Sequence, residues 1–187
     1  MTRLDRDQPM VYRPAEDSGL LAEAAVAGAH GRVLEVGTGS GWVAEQIATE
    51  RGLHVVGSDR NPHAAREARD RGVEAVVADL LEPFRADAFD TVCFNPPYLP
   101  TDPDNEWDDW MERALSGGES GRAVIEPFVA DVGRVLAPGG VVFLLVSSLT
   151  EYEAVLELVE AAGFSHTVAS EASFPFGPPP GSRLRPA

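Results

Sequence analysis

The chain has 187 residues, of which 44% are hydrophobic and 24% charged, as expected for one globular domain with a hydrophobic core. No apolar stretch reaches the ~20 residues that span a bilayer, and the start lacks the apolar segment of a signal peptide, so we expect a cytoplasmic protein. The 30 acidic and 15 basic residues give a formal charge of −15, which argues against a broad, nonspecific grip on nucleic-acid phosphates.

All 15 basic residues are arginines. An acidic surface without lysine is what a salt-rich cytoplasm favours, since salt at 1 M screens charges within about 3 Å. We therefore predict a halophilic source.

The single cysteine, Cys93, lies in a predicted buried strand and is expected to be a packed core thiol. It has no disulfide partner in the chain and there is no cysteine cluster for zinc, so no metal site is predicted.

Strands and helices alternate along the chain, which predicts an α/β fold: a doubly wound, mostly parallel sheet with helices on both faces. Asp17 or Ser18 is expected to cap the first helix, and Pro138-Gly139-Gly140 to form a turn before the fifth strand. We expect one domain over residues 1–173 and a Pro-rich tail, 174–187, that forms a short strand or is disordered. In chain order, the predicted elements are a helix over 18–29, a strand over 32–36, a helix over 41–50, a strand over 54–58, a helix over 62–71, strands over 73–78 and 89–94, a long loop over 98–118, a helix over 121–136, a strand over 141–146, a helix over 150–162 and a strand over 164–170.

Polar residues stand at the exits of four successive predicted strands: Glu35, Asp59, Asp79 and Asn95. Any single one of these carboxylates would be read as a helix cap or a solvated turn. In an open parallel sheet, however, ligands bind outside the carboxyl ends of the strands. Four polar exits together therefore predict one binding crevice.

A glycine loop, Gly37-Thr38-Gly39-Ser40-Gly41, follows the first strand and opens a helix, where its backbone can approach a ligand closely. The spacing is G-x-G-x-G, and no basic residue lies in the loop to meet a pyrophosphate. Glu35 would instead suit a cation, and Asp59 would accept hydrogen bonds from ribose hydroxyls. A nucleoside with a cationic, phosphate-free tail fits, such as S-adenosylmethionine. Asp79 would then accept from the adenine amine, and Leu80 would pack on the ring.

The tetrapeptide Asn95-Pro96-Pro97-Tyr98 follows an apolar strand. Two prolines end the strand and leave a rigid turn, which taken alone could be an ordinary strand ending. The Asn95 side-chain oxygen and the Pro96 carbonyl are suited to accept both N–H hydrogens of a planar NH2 group, while Tyr98 stacks on its face. This set predicts a methyl-accepting site, but it does not separate a glutamine amide from the amine of adenine.

Two further segments carry a resemblance: Val11-Tyr12-Arg13-Pro14-Ala15-Glu16-Asp17-Ser18, and Ser116-Gly117-Gly118 with Gly121-Arg122. With the glycine loop and Asn-Pro-Pro-Tyr, the chain over about residues 10–170 resembles the class I S-adenosylmethionine-dependent methyltransferases. More narrowly, it resembles the short archaeal and eukaryotic branch of the HemK-type N5-glutamine methyltransferases. The resemblance implies catalytic roles for residues 95–98 and S-adenosylmethionine as cofactor. The predicted cofactor site consists of Ser18, Glu35, Gly37, Thr38, Gly39, Gly41, Asp59, Arg60, Asp79, Leu80 and Asn95.

The resemblance implies methylation of a glutamine amide in a protein, the glutamine of a Gly-Gly-Gln loop in a peptide chain release factor. An adenine-N6 methyltransferase acting on DNA or RNA, and a noncatalytic binding subunit of the same fold, remain alternatives. The acidic loop 102–111, with Trp107 and Trp110, would either grip a basic release-factor surface or pack its tryptophans down.

The third strand, residues 73–78, is apolar with a single charge at Glu74, and in this fold class it lies at a sheet edge. An unprotected edge invites pairing with another chain. The resemblance implies a small zinc-binding activator protein there and hence a heterodimer.

The family also ends in a hairpin whose last strand is antiparallel. Here Pro178-Pro179-Pro180 interrupts that region, so the last strand, with 182–185 as its only candidate, is predicted to be short, shifted or missing.

Overall fold

The computed structural model describes residues 10–101 and 110–174. Within them, five strands form one sheet in the order β3-β2-β1-β4-β5, and all four pairings are parallel. The strands are β1 Val33–Val36, β2 Val55–Asp59, β3 Glu74–Val77, β4 Phe89–Phe94 and β5 Leu136–Leu144. The helices are α1 Glu16–Gly28, α2 Trp42–Arg51, α3 Pro62–Asp70, α4 Trp110–Leu115, α5 Ile125–Val135 and α6 Tyr152–Ala161. None of the helices in this part of the chain is long and apolar enough to cross a membrane.

Helices cover both faces of the sheet, which confirms the doubly wound α/β prediction. Successive residues of β1 point to opposite faces, because side chains alternate along a strand. Val33 accordingly packs in a core cluster with α1, α2 and α3, whereas Leu34 packs in a second cluster with α5 and α6. All four residues of β1 are buried, as expected for a central parallel strand covered on both sides.

The strand register brings the ends of the central strands together. Val36 at the end of β1 pairs with Ser58 of β2 on one side and with Phe94 of β4 on the other. The glycine loop, Asp59 and Asn95 therefore leave the sheet side by side.

The start of α1 differs from the prediction. The helix begins at Glu16 with Ala15 as its N-cap, so Asp17 and Ser18 lie in the first turn and neither is the cap. The Ser18 hydroxyl instead accepts a hydrogen bond from the Ala15 backbone N–H at 3.4 Å. This shift turns Asp17 toward the sheet, where it is buried.

Two predictions between β4 and β5 were wrong. The segment 98–118 is not all loop, because α4 forms within it. Pro138-Gly139-Gly140 does not precede β5 but lies inside it, and α5 passes into the strand without a connecting loop. The pairing moves from Phe89↔Leu136 to Thr91↔Val141, so the Pro-Gly-Gly residues are absorbed as an irregularity of the ladder.

The predicted sixth strand, 164–170, is also wrong: residues 164–174 have no regular structure. The Phe164 N–H bonds the Val159 carbonyl at 3.1 Å and its ring packs toward Gly133, which turns the chain back over α5. The residues that follow are exposed and do not reach the sheet. The rest of the tail, with the candidate strand 182–185, lies outside the described residues.

Candidate active site

A cavity of about 620 Å³ opens at the edge of the sheet where β1, β2, β3 and β4 end. This volume is within the range of small-molecule and cofactor sites. Every residue of the predicted site lines it except Gly41. The predicted residues that line it are Ser18, Glu35, Gly37, Thr38, Gly39, Asp59, Arg60, Asp79, Leu80, Asn95, Pro96, Pro97 and Tyr98.

Gly41 lies behind the loop rather than in the cavity. It is the N-cap of α2, with φ of +79°, and a Cβ at this position would come within 2.8 Å of the Ala68 Cβ. Its role is therefore close packing of α2 on α3. Gly37 and Gly39 have φ of +63° and +54° and bend the loop over the cavity floor.

Glu35 is the buried anchor of this loop. One of its carboxylate oxygens, Oε2, accepts from the Thr38 hydroxyl at 2.5 Å and from the Ala44 backbone N–H at 3.0 Å. Burial raises the pKa of Glu35 to about 8, against the opposing effect of these two hydrogen bonds. A cation bound beside it would favour the ionised form and lower that pKa.

Asp59 ties the end of β2 to the same loop. Its Oδ2 accepts from the Gly39 backbone N–H at 2.9 Å, and its Oδ1 accepts from the Asn61 backbone N–H at 2.8 Å. Burial raises its pKa above the ordinary value. Two backbone donors thus fix a carboxylate at the cavity wall, where it can accept hydrogen bonds from a ligand's hydroxyl groups.

Asp79 and Leu80 follow β3 at the more open end of the cavity. Asp79 is half-exposed and lies 3.6 Å from the Arg60 guanidinium. Leu80 has a φ of +47°, an uncommon backbone conformation for a branched side chain. The pair of residues brings an acceptor and an apolar surface to one end of the cavity, a combination that suits a purine ring with an exocyclic amine.

Asn95 lies at the other end, and Asp17 holds its side chain. The Asn95 Nδ2 donates to Asp17 Oδ2 at 3.1 Å, and the Tyr98 hydroxyl donates to the same oxygen at 3.4 Å. Burial, and then the charge of Asp17, raises the pKa of Tyr98, so the phenol stays protonated and remains a donor. The Asn95 Oδ1 is buried and has no hydrogen-bond partner among the described residues.

The chain after Tyr98 is hydrogen-bonded to the last residue of α4 and to the segment that follows it. Leu99 donates to the Leu115 carbonyl at 3.0 Å and accepts from the Gly117 N–H at 2.8 Å. A Cβ on Gly117 would come within 2.5 Å of the Gly121 carbonyl oxygen, so only glycine fits this crossing. The Ser-Gly-Gly segment thereby supports the turn that carries the tetrapeptide.

The cavity is also lined by residues outside the predicted site, among them Asp17, Trp110 and Arg113. Asp17 was read as a helix cap, although it belongs to the Tyr-x-Pro-x-Glu-Asp-Ser segment that carries the resemblance. Trp110 and Arg113 come from α4, which was predicted as loop, and the Arg113 guanidinium lies 5.2 Å from the centre of the Trp110 ring. Trp107 lies outside the described residues.

The polar groups that line the cavity fit a cationic nucleoside. The acceptors among them include the carboxylates Glu35, Asp59 and Asp79, and Arg60, which lies beside them, is paired with Asp79. The parallel order 3-2-1-4-5, the glycine loop after β1 and the acidic exits of the next two strands together define a class I S-adenosylmethionine-dependent methyltransferase.

Comparison with known proteins narrows this class. Residues 33–118 match the family described as a methyltransferase domain. The chain is 34% identical, over 90% of its length and 88% of the relative, to protein MJ0928 of Methanocaldococcus jannaschii, whose name assigns it provisionally to the protein N5-glutamine methyltransferases. It is 32% identical to methyltransferase HEMK2 of Homo sapiens, over 85% of this chain and 82% of that one.

A solved structure agrees with these relatives. The E. cuniculi Mtq2–Trm112 complex, described as responsible for methylation of the translation termination factor eRF1, matches with a TM-score of 0.71 and 32% identity, over 87% of this chain and 90% of that one. The chain therefore belongs to the HemK-type protein N5-glutamine methyltransferase family.

Proposed function

We propose that this enzyme methylates the side-chain amide nitrogen of a glutamine in a protein, the glutamine of the Gly-Gly-Gln loop of a peptide chain release factor. The observation that carries the proposal is the buried Asn95 Oδ1, an acceptor without a partner among the described residues. A buried acceptor left unsatisfied is costly, and a substrate N–H would satisfy it. The relatives named above support glutamine as the residue that supplies this N–H.

Methyl transfer to an amide nitrogen requires catalysis because this nitrogen is a poor nucleophile. Its lone pair is delocalised into the carbonyl. Bound S-adenosylmethionine supplies an electrophilic methyl group. In our proposal Asn95 Oδ1 accepts one N–H of the substrate amide and the Pro96 carbonyl accepts the other. The two acceptors leave the nitrogen lone pair facing the methyl group and stabilise the positive charge that develops on nitrogen as its bond to the methyl carbon forms and the methyl–sulfur bond breaks. The nitrogen would then lose one proton, which restores the neutral amide. Tyr98 covers the planar amide and excludes water.

The cofactor would be held by the residues at the strand ends. Asp59 would accept from the ribose hydroxyls, and Asp79 from the adenine amine with Leu80 against the ring. The backbone of Gly37 and Gly39 would lie along the cationic tail, with Ser18 and the loop anchored by Glu35 beside it. The fixed geometry of Asp59 and Glu35 supports these roles, because both carboxylates are oriented by backbone N–H donors.

We further propose that a small zinc-binding activator protein pairs with the β3 edge. Among the described residues β3 pairs only with β2, and Val77 at its end is 53% exposed. An exposed, largely apolar edge strand is a template for main-chain pairing with a second chain. The Mtq2–Trm112 complex supports the part of this proposal that gives the enzyme a partner chain.

Transfer of a labelled methyl group from S-adenosylmethionine tests the proposal. The substrates are a release factor, its Gly-Gly-Gln variant with Gln→Ala, and double-stranded DNA, each with and without the activator, in high salt. We expect label on the release factor, none on the alanine variant and none on DNA. Label on DNA that is recovered at adenine N6 would make the enzyme an adenine methyltransferase. Label on no substrate, with S-adenosylmethionine still bound, would favour a noncatalytic subunit.

A further inference from the structure

Asp17 occupies an unusual place for an acidic residue in the first turn of a helix. Such residues ordinarily face solvent and interact with the helix dipole. Asp17 is instead 9% exposed and faces Asn95, which directly follows β4 and lies 78 residues further along the chain. Its neighbour Glu16, by contrast, is exposed.

Both carboxylate oxygens of Asp17 are engaged, and they face different parts of the site. Oδ1 accepts from the Ser18 backbone N–H at 2.7 Å and from the Ser18 hydroxyl at 3.3 Å. Oδ2 accepts from the Asn95 side chain and from the Tyr98 hydroxyl. One residue therefore joins a predicted cofactor contact, Ser18, to the two polar side chains of the tetrapeptide.

A carboxylate only accepts hydrogen bonds, which determines the orientation of the Asn95 amide. The NH2 group must face Asp17, and Oδ1 is then left for a ligand. Rotation of the amide by half a turn would set oxygen against oxygen at Asp17 and present donors to the substrate's own NH2 group. The same argument makes the Tyr98 hydroxyl a donor to Asp17.

We propose that Asp17 is a positioning residue for methyl transfer: it orients the Asn95 amide so that its oxygen meets the acceptor nitrogen, and it holds Tyr98 beside it. This inference rests on the proposed function, because it concerns how the same site presents its acceptor. The negative charge of Asp17 also polarises the Asn95 amide, which strengthens Oδ1 as an acceptor for a nitrogen that becomes positive.

The Asp17→Asn variant, which keeps the side-chain volume and removes the charge, tests this role. Glu23→Gln is the matched control, since Glu23 is an exposed acid on the same helix. We expect kcat to fall about 10- to 100-fold in Asp17→Asn, by analogy with other preorganised polar groups, while the Kd for S-adenosylmethionine and the melting temperature stay close to wild type. Glu23→Gln should match wild type, and Asp17→Glu, which restores the carboxylate, should recover part of the lost rate.

A double-mutant cycle separates positioning from a general structural effect. If Asp17 acts mainly through Asn95, most of the loss of kcat caused by Asp17→Asn disappears in the Asn95→Ala background, and the small loss that remains reports its contact with Tyr98. Equal fold losses in both backgrounds, an unchanged kcat in Asp17→Asn, or a loss confined to cofactor affinity would overturn the proposal.

Hydrogen exchange of the Asn95 side-chain amide, followed by NMR, gives a readout that does not depend on the substrate. The Asn95 NH2 protons should exchange more slowly in wild type than in Asp17→Asn. Equal exchange rates overturn the positioning role even if no substrate is methylated. Absence of methyl transfer by the wild-type enzyme, with slow exchange retained, would count against the proposed function alone.

Discussion

Asn95 combines two roles in one amide: its nitrogen is fixed to Asp17 and its oxygen is free for a ligand. Asn95→Ala removes the acceptor while leaving the cofactor end of the cavity, at Asp59 and Asp79, unchanged. We expect kcat to fall about 10²- to 10³-fold, as on removal of one preorganised donor or acceptor elsewhere, with the Kd for S-adenosylmethionine near the wild-type value. Steady-state methyl transfer at saturating substrate and calorimetric cofactor binding measure the two quantities. A wild-type rate in this variant would exclude the proposed mechanism.

Glu35 makes the stability of the cofactor-free enzyme depend on pH. Its ordinary pKa of 4.5 is raised to about 8 in the folded protein by burial. The folded state therefore binds more protons than the unfolded state between these values, and the contribution of Glu35 to stability, complete below the lower value, is lost as the pH rises toward the upper one. Glu35→Gln keeps an acceptor for Thr38 and Ala44 but does not titrate.

We expect the free energy of unfolding of wild type, minus that of Glu35→Gln, to fall from pH 5 to pH 8 with a slope of up to about 1.4 kcal/mol per pH unit. Urea unfolding of both proteins at each pH measures this difference, in which the contributions of all other groups cancel. Parallel stability curves would show that Glu35 is ionised in the folded enzyme across this range.

At the scale of elements, α2 is bounded by two glycines with positive φ that offer a matched comparison. Gly41 and Gly52 have φ of +79° and +64°, but a Cβ on Gly41 would press on Ala68, whereas a Cβ on Gly52 would meet nothing within 4 Å. Gly52→Ala should cost about 1–2 kcal/mol for the left-handed conformation alone. Gly41→Ala should cost about 1–3 kcal/mol more, because it also overpacks the contact with α3. Equal losses of unfolding free energy in the two variants would contradict this reading of Gly41.

The elements that the sequence predicted well are those in which the local pattern and the tertiary contacts agree. β1 and β4 are short apolar runs followed by chain-turning residues, and both were placed to within one residue. Where tertiary contacts dominate, the prediction failed. The Pro-Gly-Gly turn was absorbed into β5 because α5 delivers Leu136 directly to the sheet beside Phe89.

The sequence predicts which residues line the cavity where a residue's place follows from the end of a strand, as for Asp59 and Asn95. Gly41 and Asp17 show what such reasoning misses. Whether a glycine faces a ligand or a neighbouring helix depends on packing with α3, which is remote in sequence. Likewise, whether an acid in the first turn of α1 is a cap or a partner of β4 depends on where that helix docks.

At the scale of the whole molecule, the five-stranded sheet has β3 at one edge and β5 at the other. The β5 edge is followed along the chain by α6 and the irregular segment 164–174, whereas the β3 edge carries Glu74 and Val77 at its surface. Glu74 pairs with His54 of the loop before β2 at 3.0 Å, on the exposed surface.

The net charge of −15 and the absence of lysine are the basis for predicting a halophilic source. For the same reason, binding to partners should be tested in high salt, which screens the repulsion between acidic surfaces.

The proposed activator interface can be tested with two exposed valines. Val77 on β3 is 53% exposed and Val168 in the segment after α6 is 63% exposed, so an aspartate at either position adds the same charge to the surface of the free enzyme. If the activator covers the β3 edge, Val77→Asp puts a charge into an apolar contact and should raise the Kd for the activator about tenfold or more, which corresponds to about 1.4 kcal/mol. Val168→Asp should bind like wild type.

Calorimetric titration with the purified activator, together with melting temperatures of both variants, measures the effect. Wild-type affinity in both variants would place the activator elsewhere on the molecule, and equal weakening of both would reduce the effect to the added negative charge on an already acidic protein.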